Sequence, residues 1–181
     1  IMAGRRGRGE TLIWTDVDLF SMRFIGGDLI YSFQQLGSHC GLISRRAVGV
    51  FGGKAVWMGQ RAFYIYDGFV RPLPCDVGAY VFGDINRTQA SKIWCSTLAE
   101  YGEATFGYCS SGSTEIDRYV TYDVVSGEWI IGQRQRTSAV DRDAFSFPIA
   151  ADANGVIYQE ETGTSYLDHE GNDITPYAES G

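Results

Sequence analysis

A chain of 181 residues with 44% hydrophobic and 20% charged side chains has the size of one ordinary globular domain and needs no disulfide or metal staples to build a core. Its 23 glycines and 14% aromatic residues favour a turn-rich, strand-rich architecture. A net charge of −7, from 15 basic and 22 acidic side chains, excludes tight phosphate-neutralising binding of nucleic acid as the main task.

Ile1 ahead of Met2 suggests a piece of a longer polypeptide, and residues 1–11 read as a tail or linker. Within them Arg5-Arg6-Gly7-Arg8 is a local basic cluster of the kind usually found at a solvated end. Leu12–Met22 and Ala55–Ile65 then overlay without gaps at an offset of 43 residues, Trp14 falling on Trp57 and Phe20 on Phe63. Each pair brackets a short polar or glycine-containing turn, which predicts tight hairpins. Gly26-Gly27 and Gly52-Gly53 follow apolar residues where further hairpin turns are expected, and Leu36–Ile43 reads as a linker between units.

Tyr66-Asp67-Gly68 is followed by Val70-Arg71-Pro72-Leu73, and Tyr122-Asp123 by Gly127-Glu128-Trp129-Ile130. In both, an acidic residue near a glycine turns the chain into an apolar strand. Between these units Tyr80–Ala90 suits a short helix, with Asp84 or Asn86 as its cap. A third unit runs from Thr105–Tyr108 over a tip at 110–115 to a return at Arg118–Asp123; a fourth starts at Val156–Tyr158 and returns at Ser165–Leu167.

The leading aromatics at 14, 57, 106 and 158 give steps of 43, 49 and 52, close to one four-stranded blade of a β-propeller. The predicted fold is therefore all-β, with about four propeller-like antiparallel sheets over residues 12–175, one short helix and a C-terminal tail at 176–181. Four blades stand at the bottom of the range for closed propellers, so the units are expected to be part of a larger one. The structural repeat positions are Trp14, Phe20, Trp57, Phe63, Tyr66, Asp67, Gly68, Tyr122, Asp123, Trp129 and Tyr158. Their aromatics are expected to join blade to blade, with Gly59 and Gly68 making turns.

Residues with the means for chemistry are present without the arrangement for it. His39 beside Cys40 could activate a thiolate, but neighbours on an extended strand point to opposite faces. His169 reads as part of an exposed turn. The carboxylates Asp16 and Asp18, Asp141 and Asp143, Asp152, Glu160 and Glu161 could serve glycoside hydrolysis only if two faced each other across a cleft. Asp152-Ala153-Asn154-Gly155 lacks the later ligands of a calcium loop and reads as a hairpin turn. Arg118, beside Asp117, suits an ion pair within a blade or a contact across subunits.

Cys40, Cys75, Cys95 and Cys109 show no CxxC spacing, which predicts free thiols. Without a signal peptide or long apolar run, a soluble chain in a reducing cytoplasm is expected. No GxGxxG, P-loop, HExxH or GxSxG motif is present in working form. No catalytic, cofactor-binding or metal-binding residue is predicted, and no enzymatic activity.

Several strings together carry a resemblance: Tyr31-Ser32-Phe33-Gln34-Gln35-Leu36-Gly37, Cys40-Gly41-Leu42-Ile43, Val56-Trp57-Met58-Gly59, Tyr66-Asp67-Gly68, Leu73-Pro74-Cys75, Tyr80–Asn86 and Asp117-Arg118-Tyr119-Val120. Over about Leu12 to Gly163 the chain resembles the tail-hub or tail-nozzle proteins of short-tailed bacteriophages, including the packaged-DNA-stabilisation proteins. The resemblance implies a propeller-containing structural protein of the virion, assembled in the host cytoplasm into a ring below the portal. It also implies retention of packaged DNA and its conduction during ejection. The implied partners are other copies of the chain in a hexameric ring, portal or adaptor proteins, tail-fibre or tail-needle proteins, and passing DNA without specific binding; no membrane is implied. Members of that family are several times longer, so this chain is expected to be a fragment.

Two other readings share the repeat. A carbohydrate-binding or glycan-cleaving propeller of a receptor-binding tail protein would use the carboxylates and aromatics; a cellular kelch-like scaffold would use the blades alone.

Overall fold

The structure is a computed structural model and describes residues 1–142 and 145–161. It is all-β in character: antiparallel meanders follow one another along the chain. The first sheet contains β1 (Ala3–Arg6), β2 (Thr11–Trp14), β3 (Leu19–Phe24) and β4 (Tyr31–Gly37). The second contains β5 (Val48–Phe51), β6 (Lys54–Met58), β7 (Phe63–Tyr66) and β8 (Val70–Leu73). The third contains β9 (Trp94–Leu98), β10 (Glu103–Tyr108), β11 (Arg118–Asp123) and β12 (Trp129–Gln133). The fourth has three strands among the described residues: β13 (Ser138–Val140), β14 (Ile149–Ala151) and β15 (Ile157–Gln159).

Glycine makes the tight turns where the backbone demands it. Gly52 and Gly53, at φ 56° and 78°, form the two-residue turn that pairs Phe51 with Lys54. Gly26, Gly27 and Gly68 also take positive φ, as the hairpin reading expects. Gly59 differs: its φ is not in the left-handed region, and a Cβ there would come within 2.7 Å of the Tyr64 ring. Close approach, not turn geometry, requires that glycine.

The predicted hairpins are β2–β3, β6–β7 and β10–β11, and each is preceded by one more strand. Residues 1–11 are accordingly not a tail: β1 pairs with β2, Ala3 opposite Trp14, and Ala3 is buried. Arginines mask the alternation of this strand, because Arg5 and Arg6 both remain exposed. The repeat register also shifts by one residue. Trp14 pairs with Leu19 as Met58 pairs with Phe63, so Leu19 takes the place of Phe63 in the first sheet. Burial decides it, since Leu19 is buried and Phe20 only half-buried.

In the fourth sheet Tyr158 lies on β15, which pairs back onto β14; the Ala150 opposite it is buried. The proposed return at 165–167, His169, the domain end at 175, the tail at 176–181 and Asp143 lie outside the described residues. The single helix expected over 80–90 is two shorter pieces, α1 (Gly78–Asp84) and a 3₁₀ helix over Arg87–Lys92. Asn86 caps the second, accepting the Thr88 N–H at 3.1 Å, whereas Asp84 ends the first and caps nothing.

The sheets stack face to face. Trp57 and Tyr66, pointing one way from the second sheet, meet the first; Phe63, pointing the other way, meets the third. The first strands of the second, third and fourth sheets lie side by side along one edge of the stack, β9 against both β5 and β13. A Cβ on Gly49 of β5 would overlap Thr97 Cγ2 of β9 at 2.4 Å, so these inner strands touch almost backbone to side chain.

Candidate functional site

The chemistry of the chain is concentrated at the contacts between sheets. At the first contact, the Trp14 and Trp57 rings meet edge to face at 5.5 Å and 72°. Trp57 Nε1–H donates to the Cys40 carbonyl at 2.6 Å, and Leu42 N–H donates to the Thr15 carbonyl at 3.1 Å. The expected linker is therefore wedged between two sheets, with its first two residues part of β4. Gly41 is required there: a Cβ would lie 2.2 Å from the Asp16 backbone.

Beside it sits a buried carboxylate. Glu10 accepts from the Tyr66 hydroxyl at 2.7 Å and from Arg23 Nε at 3.0 Å. Burial alone would raise the Glu10 carboxyl, but the hydrogen bonds from Tyr66, Arg23 and Ser21 outweigh it and hold the group below its ordinary range. Burial, with the Glu10 bond, pushes Tyr66 up to about 12.

At the second contact Phe63 meets Phe106 at 5.2 Å and Trp129 at 4.5 Å, and Trp129 in turn meets Tyr122 at 4.8 Å. Trp129 Nε1–H donates to the Pro74 carbonyl at 2.8 Å. Arg118 approaches Asp84 of α1 at 3.8 Å, not its neighbour Asp117, whose carboxylate accepts from Ser110 N–H and Oγ. The Arg118 interaction thus lies within the chain and ties the helix to the third sheet.

At the third contact Trp94 Nε1–H donates to the Arg136 carbonyl at 2.8 Å, and Arg136 Nε pairs with Glu160 at 2.6 Å while its guanidinium lies 3.6 Å from the centre of the Tyr158 ring. Arg142 pairs with Glu100 at 2.7 Å.

The other repeat positions are local. Asp67 pairs with Arg71 at 2.8 Å across the turn at Gly68, and Asp123 accepts from Val125 N–H at 2.7 Å. Phe20 lies opposite Ile13 on the first sheet's outer face.

Among the described residues singled out for catalysis, no nucleophile and base and no pair of carboxylates across a cleft is assembled. His39 is exposed at φ 56°, its N–H donating to Asp18, while the buried Cys40 thiol is pushed up mainly by burial. That is the reverse of an activated thiolate. Asp16 and Asp18 lie in the β2–β3 turn of the first sheet, whereas Asp141 follows β13 of the fourth and accepts Ala99 N–H at 2.8 Å. Asp152 closes the β14–β15 turn, accepting Asn154 N–H at 2.9 Å, Val156 N–H at 3.0 Å and the Tyr158 hydroxyl at 3.0 Å. With its oxygens so occupied it is a hairpin residue, as the sequence reading holds. Among the described residues no group of three or more His, Cys, Asp or Glu side chains could hold a metal ion. All four cysteines are free, and no described helix is long and apolar enough to cross a membrane.

Sequence reasoning missed Glu10, Arg23 and Arg136 and gave Asp84 only a capping role; the partners of these residues are 13 or more residues away in the chain. It also missed an exposed apolar surface on the β3–β4 hairpin, including Phe24, Leu29 and Phe33. The signal was available, because the Gly26-Gly27 turn is flanked by apolar residues where a solvated tip would be polar.

No family model matches the chain, and no curated protein matches it significantly.

Proposed function

We propose that the chain is a non-enzymatic structural component of a bacteriophage tail, a part of the hub or nozzle ring below the portal that helps retain packaged DNA and conduct it during ejection. The observation that carries this reading is the use of the polar side chains: Glu10, Asp84, Asp152 and Glu160 tie strands, helix and sheets to one another. A stack of sheets welded in this way is a rigid wall. The resemblance in sequence supplies the tail, and the net charge of −7 suits a conduit through which DNA must slide, since an acidic wall repels phosphates. In the particle it would meet other copies of itself, portal or adaptor proteins and fibre or needle proteins.

Quantitative mass spectrometry of purified phage particles tests the reading. The chain is expected at a fixed ratio to the portal protein, compatible with ring symmetry; its absence from particles would overturn the assignment.

A further inference from the structure

The basic cluster at residues 5–8 has no part in the tail reading, yet the fold gives two of its arginines a place. The β1–β2 and β5–β6 turns come together around a concavity of about 400 Å³. Arg6 and Arg8 line one side of it, and Phe51, Gly52 and Gly53 the other. The stem of Arg8 lies along the opposite turn, its Cδ 3.6 Å from the Cβ position of Gly53. A Cβ on Gly52 would meet nothing within 4 Å, so the space beside that turn is open.

The donors around this concavity are unused. Among the described residues neither Arg6 nor Arg8 has an ion pair or a side-chain hydrogen bond. The carboxylate nearest them in the chain, Glu10, is buried and already accepts from Tyr66 and Arg23, so it does not neutralise them. Lys54, just past the turn, helps to hold Asp67 below its ordinary range, so its charge is balanced there. The Gly52 and Gly53 N–H groups donate to no described residue.

We propose that this concavity binds a phosphate group, held by the Arg6 and Arg8 guanidiniums on one side and the Gly52-Gly53 backbone on the other. Guanidinium forks and clustered backbone N–H groups are the donors that suit phosphate oxygens. A tetrahedral oxyanion accepts from both walls at once, whereas a flat carboxylate is filled by a single fork. Both arginines are exposed, and the chain as a whole carries a charge of −7, so binding is weak and exchangeable. Free phosphate and the DNA backbone share this chemistry. Only the second source rests on the tail reading: in a conduit the site would touch a passing strand without stopping it.

Nuclear magnetic resonance of the full chain, titrated with inorganic phosphate at constant ionic strength, tests the site. The Gly7, Gly52 and Gly53 amide signals are expected to shift and saturate with a Kd of about 1–10 mM. Arg6→Gln with Arg8→Gln should weaken binding about tenfold or more. Arg45→Gln with Arg61→Gln removes the same charge beyond the opposite ends of β5 and β6, and should change binding by less than about twofold. All four arginines are exposed, and unchanged circular dichroism confirms folding; Arg6→Gln alone is the milder version of the first pair. Shifts that stay unsaturated to about 100 mM phosphate, or an equal loss in the Arg45 and Arg61 variant, would overturn the proposal. Fluorescence anisotropy with a short DNA duplex separates the sources. Duplex binding whose salt slope falls by about two in the Arg6 and Arg8 variant assigns the DNA backbone; phosphate binding without duplex binding upholds the site for free phosphate. Saturable binding by a chain absent from phage particles would keep the site and remove the tail reading, and a chain present in particles without such binding would do the reverse.

Discussion

The Tyr66 hydroxyl donates a 2.7 Å hydrogen bond to Glu10 Oε1, joining the second sheet to a carboxylate that the first sheet buries. Tyr66→Phe removes the donor and leaves Glu10 with less compensation for its burial. A loss of about 1–3 kcal/mol is expected in urea unfolding, against almost none for Tyr31→Phe, whose side chain is exposed.

The same carboxylate makes stability depend on pH. Glu10 is held below its ordinary 4.5, and Asp67, Asp123 and Asp152 below 3.8. Groups depressed by folding stabilise above their unfolded values, and that contribution is lost as pH falls through the folded ones. The melting temperature should therefore fall as pH drops below about 4.5. Glu103, raised by burial and by Glu161 and Asp123, acts in the opposite sense and shallows the slope. Glu10→Gln should lower stability at neutral pH and flatten the acid limb in a pH series of melts. Tyr66, raised to about 12, sets an alkaline limb of the opposite sign, with stability lost above the ordinary value of 10.

Phe63 is the aromatic on which the second and third sheets converge, in contact with Phe82, Phe106 and Trp129. Phe63→Ala should cost about 3–5 kcal/mol by chemical denaturation, since rigid rings on several sides cannot collapse into the space. Phe69→Ala, at a position 82% exposed, should change stability by less than about 0.5 kcal/mol.

Gly41 and Gly112 offer a paired test of backbone approach. A Cβ at 41 would overlap the Asp16 backbone at 2.2 Å, whereas none at 112 would meet any atom within 4 Å. Gly41→Ala should destabilise by more than about 2 kcal/mol and Gly112→Ala by less than about 0.5 kcal/mol, read from thermal melts.

The thiols should be slow. Burial raises Cys40 and Cys109 and pushes Cys75 up to about 11, so little thiolate forms near neutral pH. A chromogenic disulfide reagent should react with all four thiols in denaturant and only sluggishly in the folded chain. His39→Ala should leave the Cys40 rate unchanged; a drop would mean that the imidazole activates it after all.

By itself the sequence determined the class of the fold and the hairpins on which it is built. Apolar alternation and the Gly26-Gly27 and Gly52-Gly53 turns act over a few residues, and local backbone preference is written in local composition. The aromatic character of the sheet contacts was legible too, because large rings on alternating strands have few places to go except between sheets. Only the tertiary structure decided the rest. β1 forms because β2 offers it an unpaired edge, not because its arginines prefer a strand. The one-residue shift that sets Leu19 in the place of Phe63 follows from which side chain the neighbouring sheet buries. Glu10 with Tyr66, Arg118 with Asp84 and Arg136 with Glu160 meet across many residues, where spacing carries no information. The exposed apolar surface of the β3–β4 hairpin is likewise a property of the stack, since a face is exposed or covered according to whether another sheet lies on it.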